Sequence, residues 1–119
     1  MIHLSPGQSY EISDDLISDF PWYDFLNVDR FTILCSDSCL PSIEMVIPVV
    51  SQPSVTALFL LHDVTECILP PVGYKRLQFS EMNLENFRSH QLENSTYKIF
   101  DGDFIEPSFL FNRGEIFIS

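Results

Sequence analysis

The middle of the chain is patterned as β-structure. Three runs rich in apolar and β-branched side chains are bounded by turn-forming residues, namely 30–35, 43–50 and 55–61. These runs are nearly continuous in apolar residues rather than alternating, which predicts central strands covered on both faces, or on one face by helices. Residues 51–54 suit a hairpin loop. Because Pro48 has no N–H to donate, the strand that contains it is expected at a sheet edge or with a bulge.

A first helix is predicted over about 14–27. Ser13 is the predicted N-cap, and Asp14 and Asp15 follow in the first turn, where the helix dipole favours negative charge. Pro21 interrupts the segment, so the prediction is a helix with a break or a kink at that point. The apolar residues that recur at helical spacing are Leu16, Ile17, Phe20 and Tyr23.

A second helix is predicted over about 81–92, beginning after Ser80 as N-cap and ending before Asn94. Glu81 lies in its first turn, where an acid is favourable. Three apolar residues form the face that would pack on the rest of the protein: Leu84, Phe87 and Leu92.

The last quarter of the chain predicts two hairpins. Residues 97–100 alternate, and Asp101-Gly102 is a strong two-residue turn signal before the return strand at 104–105. The second hairpin spans 109–118 and turns at 112–114. The whole pattern predicts an α+β fold in a single domain over 1–119, with a mainly antiparallel sheet of about five to seven strands, two helices and C-terminal hairpins.

The charge balance limits the partners that the protein can bind. There are 17 Asp and Glu against 6 Lys and Arg, which gives a formal net charge of −11. Nucleic acid and anionic membrane surfaces would repel such a chain, so neither is expected as a direct partner. Residues 1–29 contain acids but no Lys or Arg. A patch of one sign speeds encounter with an oppositely charged molecule, which predicts a basic protein as the partner.

The N-terminus and the cysteines predict a cytoplasmic protein. The first residues have no basic stretch followed by an apolar core, which a secretory signal would need. The three cysteines, Cys35, Cys39 and Cys67, are an odd number and give no disulfide framework.

No motif in the chain identifies a catalytic chemistry. It lacks a glycine-rich phosphate loop, a nucleophile elbow and a His-Glu-x-x-His zinc motif, so neither a cofactor nor an enzymatic activity is predicted. The alternative is a small metal- or thiol-dependent enzyme. A zinc site would use donors of the types found at Cys35, Cys39, His62 and Cys67. A thiol enzyme would instead use Cys35 or Cys39 as the nucleophile, with His62 and Asp63 as the base and its partner. The simpler interpretation makes Cys35 and Cys67 small buried residues and Cys39 a loop thiol.

The strongest candidate for a binding site is the stretch Asp14–Asp29, which we call the acidic segment. It mixes carboxylates with aromatic side chains, and interface centres favour Trp and Tyr as anchors. An alternative interpretation packs Leu16, Phe20, Trp22 and Phe25 on the sheet and leaves the acids as a solvated face, and the two are compatible. The predicted partner-binding residues are Asp14, Asp15, Asp19, Trp22, Tyr23, Asp24 and Asp29, joined by Glu44, Asp63 and Glu66 if these lie nearby.

In size, charge and lack of a catalytic motif, the chain resembles immunity proteins that neutralise secreted bacterial toxins, many of them nucleases. The resemblance covers no specific motif. It implies a non-catalytic inhibitor that covers the basic active site of a toxin with an acidic surface. A close alternative is a nucleic-acid mimic that blocks a DNA- or RNA-binding protein. A third is a subunit of an assembly with residues 43–61 as the oligomer interface, and the oligomeric state stays open.

Overall fold

Two antiparallel sheets share one hydrophobic core. The structure is a computed structural model that describes residues 3–37, 39–70, 77–87, 96–104 and 106–119. Within these residues the strands are β1 (Ser9–Glu11), β2 (Arg30–Ser36), β3 (Cys39–Val49), β4 (Gln52–His62), β5 (Glu66–Ile68), β6 (Met82–Asn86), β7 (Tyr97–Asp101), β8 (Ser108–Phe111) and β9 (Arg113–Ile118), and the one α-helix is α1 (Asp15–Asp19).

The five-stranded sheet has the order β1-β9-β4-β3-β2, and the four-stranded sheet has the order β5-β8-β7-β6. All of the strand pairs run antiparallel. Phe31 of β2 stacks on Phe109 of β8, with ring centroids 5.8 Å apart, so the two sheets meet through their aromatic side chains. The prediction of a mainly antiparallel sheet structure is confirmed, but the described residues form nine strands in two sheets rather than about five to seven in one, and the two helices expected of an α+β fold are not found there.

The hairpin of β3 and β4 is the centre of the larger sheet. Along both strands, buried residues alternate with partly exposed ones. The prediction of a β3–β4 hairpin agrees with the structure, although the turn is shorter than expected, since only Val50 and Ser51 separate the two strands. The register shifts between Pro48 and Val49, which is the bulged alternative expected for a strand proline. The residues buried on the inner face are Ile43, Met45, Ile47, Val49, Val55, Ala57, Phe59 and Leu61.

The prediction of a helix over 14–27 is wrong in extent. Only α1 is α-helical, its N-cap is Asp14 rather than Ser13, and a single 3₁₀ turn, Trp22–Asp24, follows. Pro21 is the physical reason, because its ring excludes the helical conformation from the preceding residue and removes an N–H from the helix. Phe20 is accordingly extended, with φ −80° and ψ 141°.

The prediction of a helix over 81–92 is also wrong where the structure describes it. Residues 82–86 form β6, which pairs with β7, while 88–92 lie outside the described residues. Ser80 does not cap a helix, since its N–H donates to Asp101 and its hydroxyl to Asp103. Met82 and Leu84 are buried while Asn83 and Glu85 are not, which is the two-residue period of a strand.

The strands of the two predicted C-terminal hairpins pair differently in the structure from what was expected. β7 and β8 are antiparallel neighbours, but residues 102–107 connect them, and Asp101 lies in β7 rather than in a two-residue turn. β8 and β9 do not form a hairpin. β8 belongs to the four-stranded sheet and β9 to the five-stranded sheet, so the chain crosses from one sheet to the other at Asn112.

Candidate protein-binding surface

The inner side of the acidic segment belongs to the hydrophobic core. Trp22 is 7% exposed, and its Nε1–H donates to the carbonyl of Leu16 at 2.7 Å. Phe20 stacks on Phe25 with ring centroids 5.3 Å apart, and Phe25 meets Phe59 of β4 edge to face at the same distance. Trp22 is therefore not available as an exposed anchor, and the interpretation that packs these aromatics on the sheet describes this side of the segment.

The outer side of the acidic segment carries the residues that a partner can reach. Asp15 and Asp19 are exposed at the two ends of α1, one helical turn apart. Tyr23, in the 3₁₀ turn, is 59% exposed, and Ile17 is 38% exposed. The segment thus places two large apolar side chains beside carboxylates on a solvent-accessible surface.

Asp24 joins the acidic segment to the turn between β3 and β4. Its carboxylate accepts hydrogen bonds from the Ser51 N–H at 3.2 Å and the Ser51 hydroxyl at 2.6 Å, and its carbonyl accepts the Val50 N–H at 3.0 Å. Val50 is 50% exposed. The turn therefore adds Val50 to the surface that carries Tyr23. Val50 is not among the residues predicted for the site, and no local pattern signals its position, because the two segments meet only through folding.

The two terminal acids of the segment have different roles. The Asp14 carboxylate accepts hydrogen bonds from the Asn86 amide at 2.8 Å and the Tyr97 hydroxyl at 3.1 Å, which fastens the start of α1 to β6 and β7. Asp29 is exposed, and its N–H donates to the carbonyl of Val46 at 2.8 Å. The Asp14 carboxylate therefore stabilises the fold through hydrogen bonds in addition to carrying a charge. The exposed Asp29 lies beside β3.

The other carboxylates are distributed over several surfaces. Glu44 lies on the outer face of β3, opposite Leu60. Asp63 follows the end of β4 farthest from Val50, and Glu66 lies in β5 of the other sheet, so neither is near the acidic segment. The negative charge of the chain is therefore not gathered into one patch, and the acidic segment is one of several acidic surfaces.

Asp101 is a buried acid with a structural role. Its carboxylate accepts the N–H groups of Ser80 at 2.7 Å, Asp103 at 2.9 Å and Glu81 at 3.4 Å. It borders a cavity of about 230 Å³ between the loop that precedes β6 and the loop that follows β7. These three backbone N–H groups satisfy the Asp101 carboxylate, which accounts for the burial of this acid.

The residues of the alternative metal or thiol site lie on different elements. Cys35 and Cys39 are exposed in β2 and β3, and Cys67 is exposed in β5 of the other sheet, so Cys35 and Cys67 are not the buried residues expected. His62 is bonded through Nε2 to Glu115 at 2.6 Å. Although Cys67 is exposed as a residue, partial burial of its thiol raises the thiol pKa, which disfavours the thiolate at neutral pH. Within the described ranges, no three His, Cys, Asp or Glu side chains are placed to hold a metal ion.

The comparisons with known proteins give no relative from which a role could be transferred. No family model matches the sequence, no curated protein is significantly similar to it, and no solved structure matches its fold. In the part of the chain that is described, no helix has the length and apolar character needed to cross a membrane.

Proposed function

We propose that this protein is a non-catalytic inhibitor that binds a basic protein, in the manner of an immunity protein that covers the positively charged active site of a toxin nuclease. The observation that carries the proposal is that the acidic segment exposes Tyr23 together with the acids Asp15 and Asp19, and that the turn bonded to Asp24 exposes Val50. An apolar anchor surrounded by carboxylates is the composition expected for a surface that recognises a basic cleft.

The carboxylates would act mainly on the rate of encounter. No Lys or Arg lies within the acidic segment, although Arg30 directly follows it, so a basic partner approaches a segment whose own charges are all negative. Attraction between such surfaces raises the association rate and weakens as salt screens it, with a Debye length of about 8 Å at physiological ionic strength. The same acids would repel nucleic acid, so the inhibitor would compete with a substrate for the site and not bind the substrate itself.

The apolar residues would act mainly on the lifetime of the complex. Tyr loses little conformational entropy when it is buried in an interface, and it presents a large apolar ring. The hydrogen bonds from Ser51 to Asp24 hold the 3₁₀ turn against the β3–β4 turn before any partner arrives. A surface that is already ordered pays less entropy on binding, which favours slow dissociation.

We place this encounter in the cytoplasm. Cys35, Cys39 and Cys67 are all free thiols, and free exposed thiols are typical of a reducing compartment. A toxin nuclease would also reach its substrate there, and an inhibitor in the same compartment would protect the cell.

The proposal is tested by reversing charges on α1. The full chain serves as bait to isolate its partner from the host, and association with the purified partner is then measured by stopped flow at several salt concentrations. Asp15→Lys with Asp19→Lys should slow association about tenfold at low salt and flatten the salt dependence, because the steering charge is inverted.

The matched control is Glu66→Lys with Glu81→Lys, which changes the net charge equally at exposed acids outside the segment. Its association rate should fall much less, since local charge and not total charge steers the encounter. The proposal is contradicted by an unchanged rate in the α1 variant, or by equal slowing in both variants.

A further inference from the structure

The outer face of the five-stranded sheet carries a row of apolar side chains. In the strand register, Phe117 of β9 lies opposite Leu58 of β4, and Leu58 lies opposite Val46 of β3. Phe117 is 39% exposed, and Leu58 and Val46 are partly exposed. We call these three residues the apolar row. They cross the three central strands of the sheet and face away from the shared core.

Carboxylates lie in the next row of the same face. Glu115 of β9 and Glu44 of β3 are both opposite Leu60 of β4, and Glu11 of β1 is opposite Glu115. Residues two apart on a strand point to the same face, so these acids border the apolar row directly. Among the described residues, two arginines lie on this face: Arg30 of β2 is opposite Val46, at the end of the apolar row, and Arg113 is opposite His62 at the start of β9. The face is therefore apolar in the centre and acidic along one side.

The apolar row is continuous with the proposed partner-binding surface through the β3–β4 hairpin. The hairpin carries Val46 and Leu58 on its outer face and ends in the turn that presents Val50. Asp24 is bonded to that turn, and the Asp29 N–H is bonded to Val46. The acidic segment thus runs alongside the hairpin from its turn to the apolar row.

We propose that the apolar row is the second part of the partner-binding surface and receives a basic amphipathic segment of the partner, with apolar side chains on one side and Lys or Arg on the other. This inference rests on the proposed function. Charge complementarity selects the occupant, since Glu11 and Glu44 line the row on one side together with Glu115, whose carboxylate is bonded to His62. A second copy of this chain carries the same net charge of −11, so two copies would approach each other against electrostatic repulsion.

Two synthetic peptides test the inference on the full chain labelled with ¹⁵N. One peptide alternates leucine and lysine, and the other has the same lysines with serine in place of leucine. Both should shift the amide signals of the acidic segment, because both are basic. Only the leucine–lysine peptide should also shift the signals of Val46, Leu58 and Phe117, because it alone has apolar side chains to bury.

The outcomes separate the two proposals. If neither peptide shifts the acidic segment, the proposed function is contradicted. If both shift the acidic segment but the leucine–lysine peptide leaves the apolar row unchanged, only the further inference falls. If the signals of the apolar row change with protein concentration when no peptide is present, the occupant is a second copy, and the inference is overturned.

A pair of variants adds a quantitative check. Leu58→Ser should raise the Kd for the leucine–lysine peptide by about tenfold and leave the Kd for the serine–lysine peptide unchanged. Leu69→Ser is the matched control, because Leu69 is an exposed leucine that follows β5 of the other sheet. An equal rise in the Kd for the leucine–lysine peptide in both variants would overturn the inference, since the peptide would then bind exposed apolar side chains in general and not the apolar row in particular.

Discussion

The two faces of the β3–β4 hairpin both carry apolar side chains, but in opposite environments: the inner face is apolar throughout and buried, whereas the outer face mixes apolar with polar side chains and is partly exposed. On the inner face, Met45, Ile47 and Phe59 are completely buried between the sheets. On the outer face, Val46 and Leu58 are apolar as well but remain partly exposed. The comparison shows that a single apolar side chain on a strand is not by itself a sign of burial. Burial is decided by what packs against each face, and apolar side chains left outside are candidates for contact with another molecule.

The largest difference between the two faces is expected from truncating adjacent residues of β4. Phe59→Ala should lower the free energy of unfolding by about 3 to 5 kcal/mol, because it removes a ring that contacts Trp22 and Phe25 and leaves a cavity. Leu58→Ala should cost less than about 1 kcal/mol, since the side chain is already partly solvated. Urea unfolding of both variants measures the difference, and similar losses would mean that the outer face is also packed.

The same contrast holds between Trp22 and Tyr23, which are neighbours in the sequence. Trp22→Ala should destabilise the protein by about 3 kcal/mol, because it deletes a buried ring and the hydrogen bond to Leu16. Tyr23→Ala should leave stability within about 1 kcal/mol of the original and instead speed dissociation of the partner. Unfolding midpoints and dissociation rates separate the two roles. A stable Trp22→Ala protein would show that the inner side is not core.

A substitution with a smaller expected effect tests how tightly the inner face is packed. Gly114 of β9 has no room for a methyl group, since a Cβ there would lie 2.8 Å from the Leu60 carbonyl and 2.9 Å from the Ile12 side chain. Gly114→Ala should therefore cost about 2 kcal/mol.

Gly7 provides the control for that substitution. It has open space around a Cβ but adopts φ +93°, so Gly7→Ala should cost about 1 kcal/mol through backbone strain alone. Thermal unfolding of both variants would compare the two effects. A larger loss at Gly7 than at Gly114 would contradict the close packing of β9 against β4.

Local sequence patterns predicted the elements whose partners are close in the chain. The β3–β4 hairpin followed from two apolar runs and a short polar loop, and the bulge in β3 followed from Pro48. The burial of Phe20, Trp22 and Phe25 was one of two interpretations of the acidic segment. These features depend on side-chain pattern and on the missing N–H of proline, which act over a few residues.

A helix was predicted where β6 lies because the residues before it resemble a helix N-cap, although its buried residues alternate as in a strand. Ser80 and Glu81 resemble a helix start, yet Met82 and Leu84 are the alternating buried residues of a strand. A five-residue strand offers too few positions to distinguish the two periods. Its pairing with β7 supplied the hydrogen bonds that decided the conformation.

The sequence by itself determined that this chain forms strands, that it is strongly acidic, and that an aromatic, carboxylate-rich segment lies near its N-terminus. Only the tertiary structure decided which aromatic is core and which is exposed, that β8 and β9 lie in different sheets, and that Val50 lies beside the acidic segment. The physical reason is that conformational preference and charge are properties of neighbouring residues. Exposure and proximity arise from contacts between distant segments, such as the hydrogen bonds that join Asp24 to Ser51.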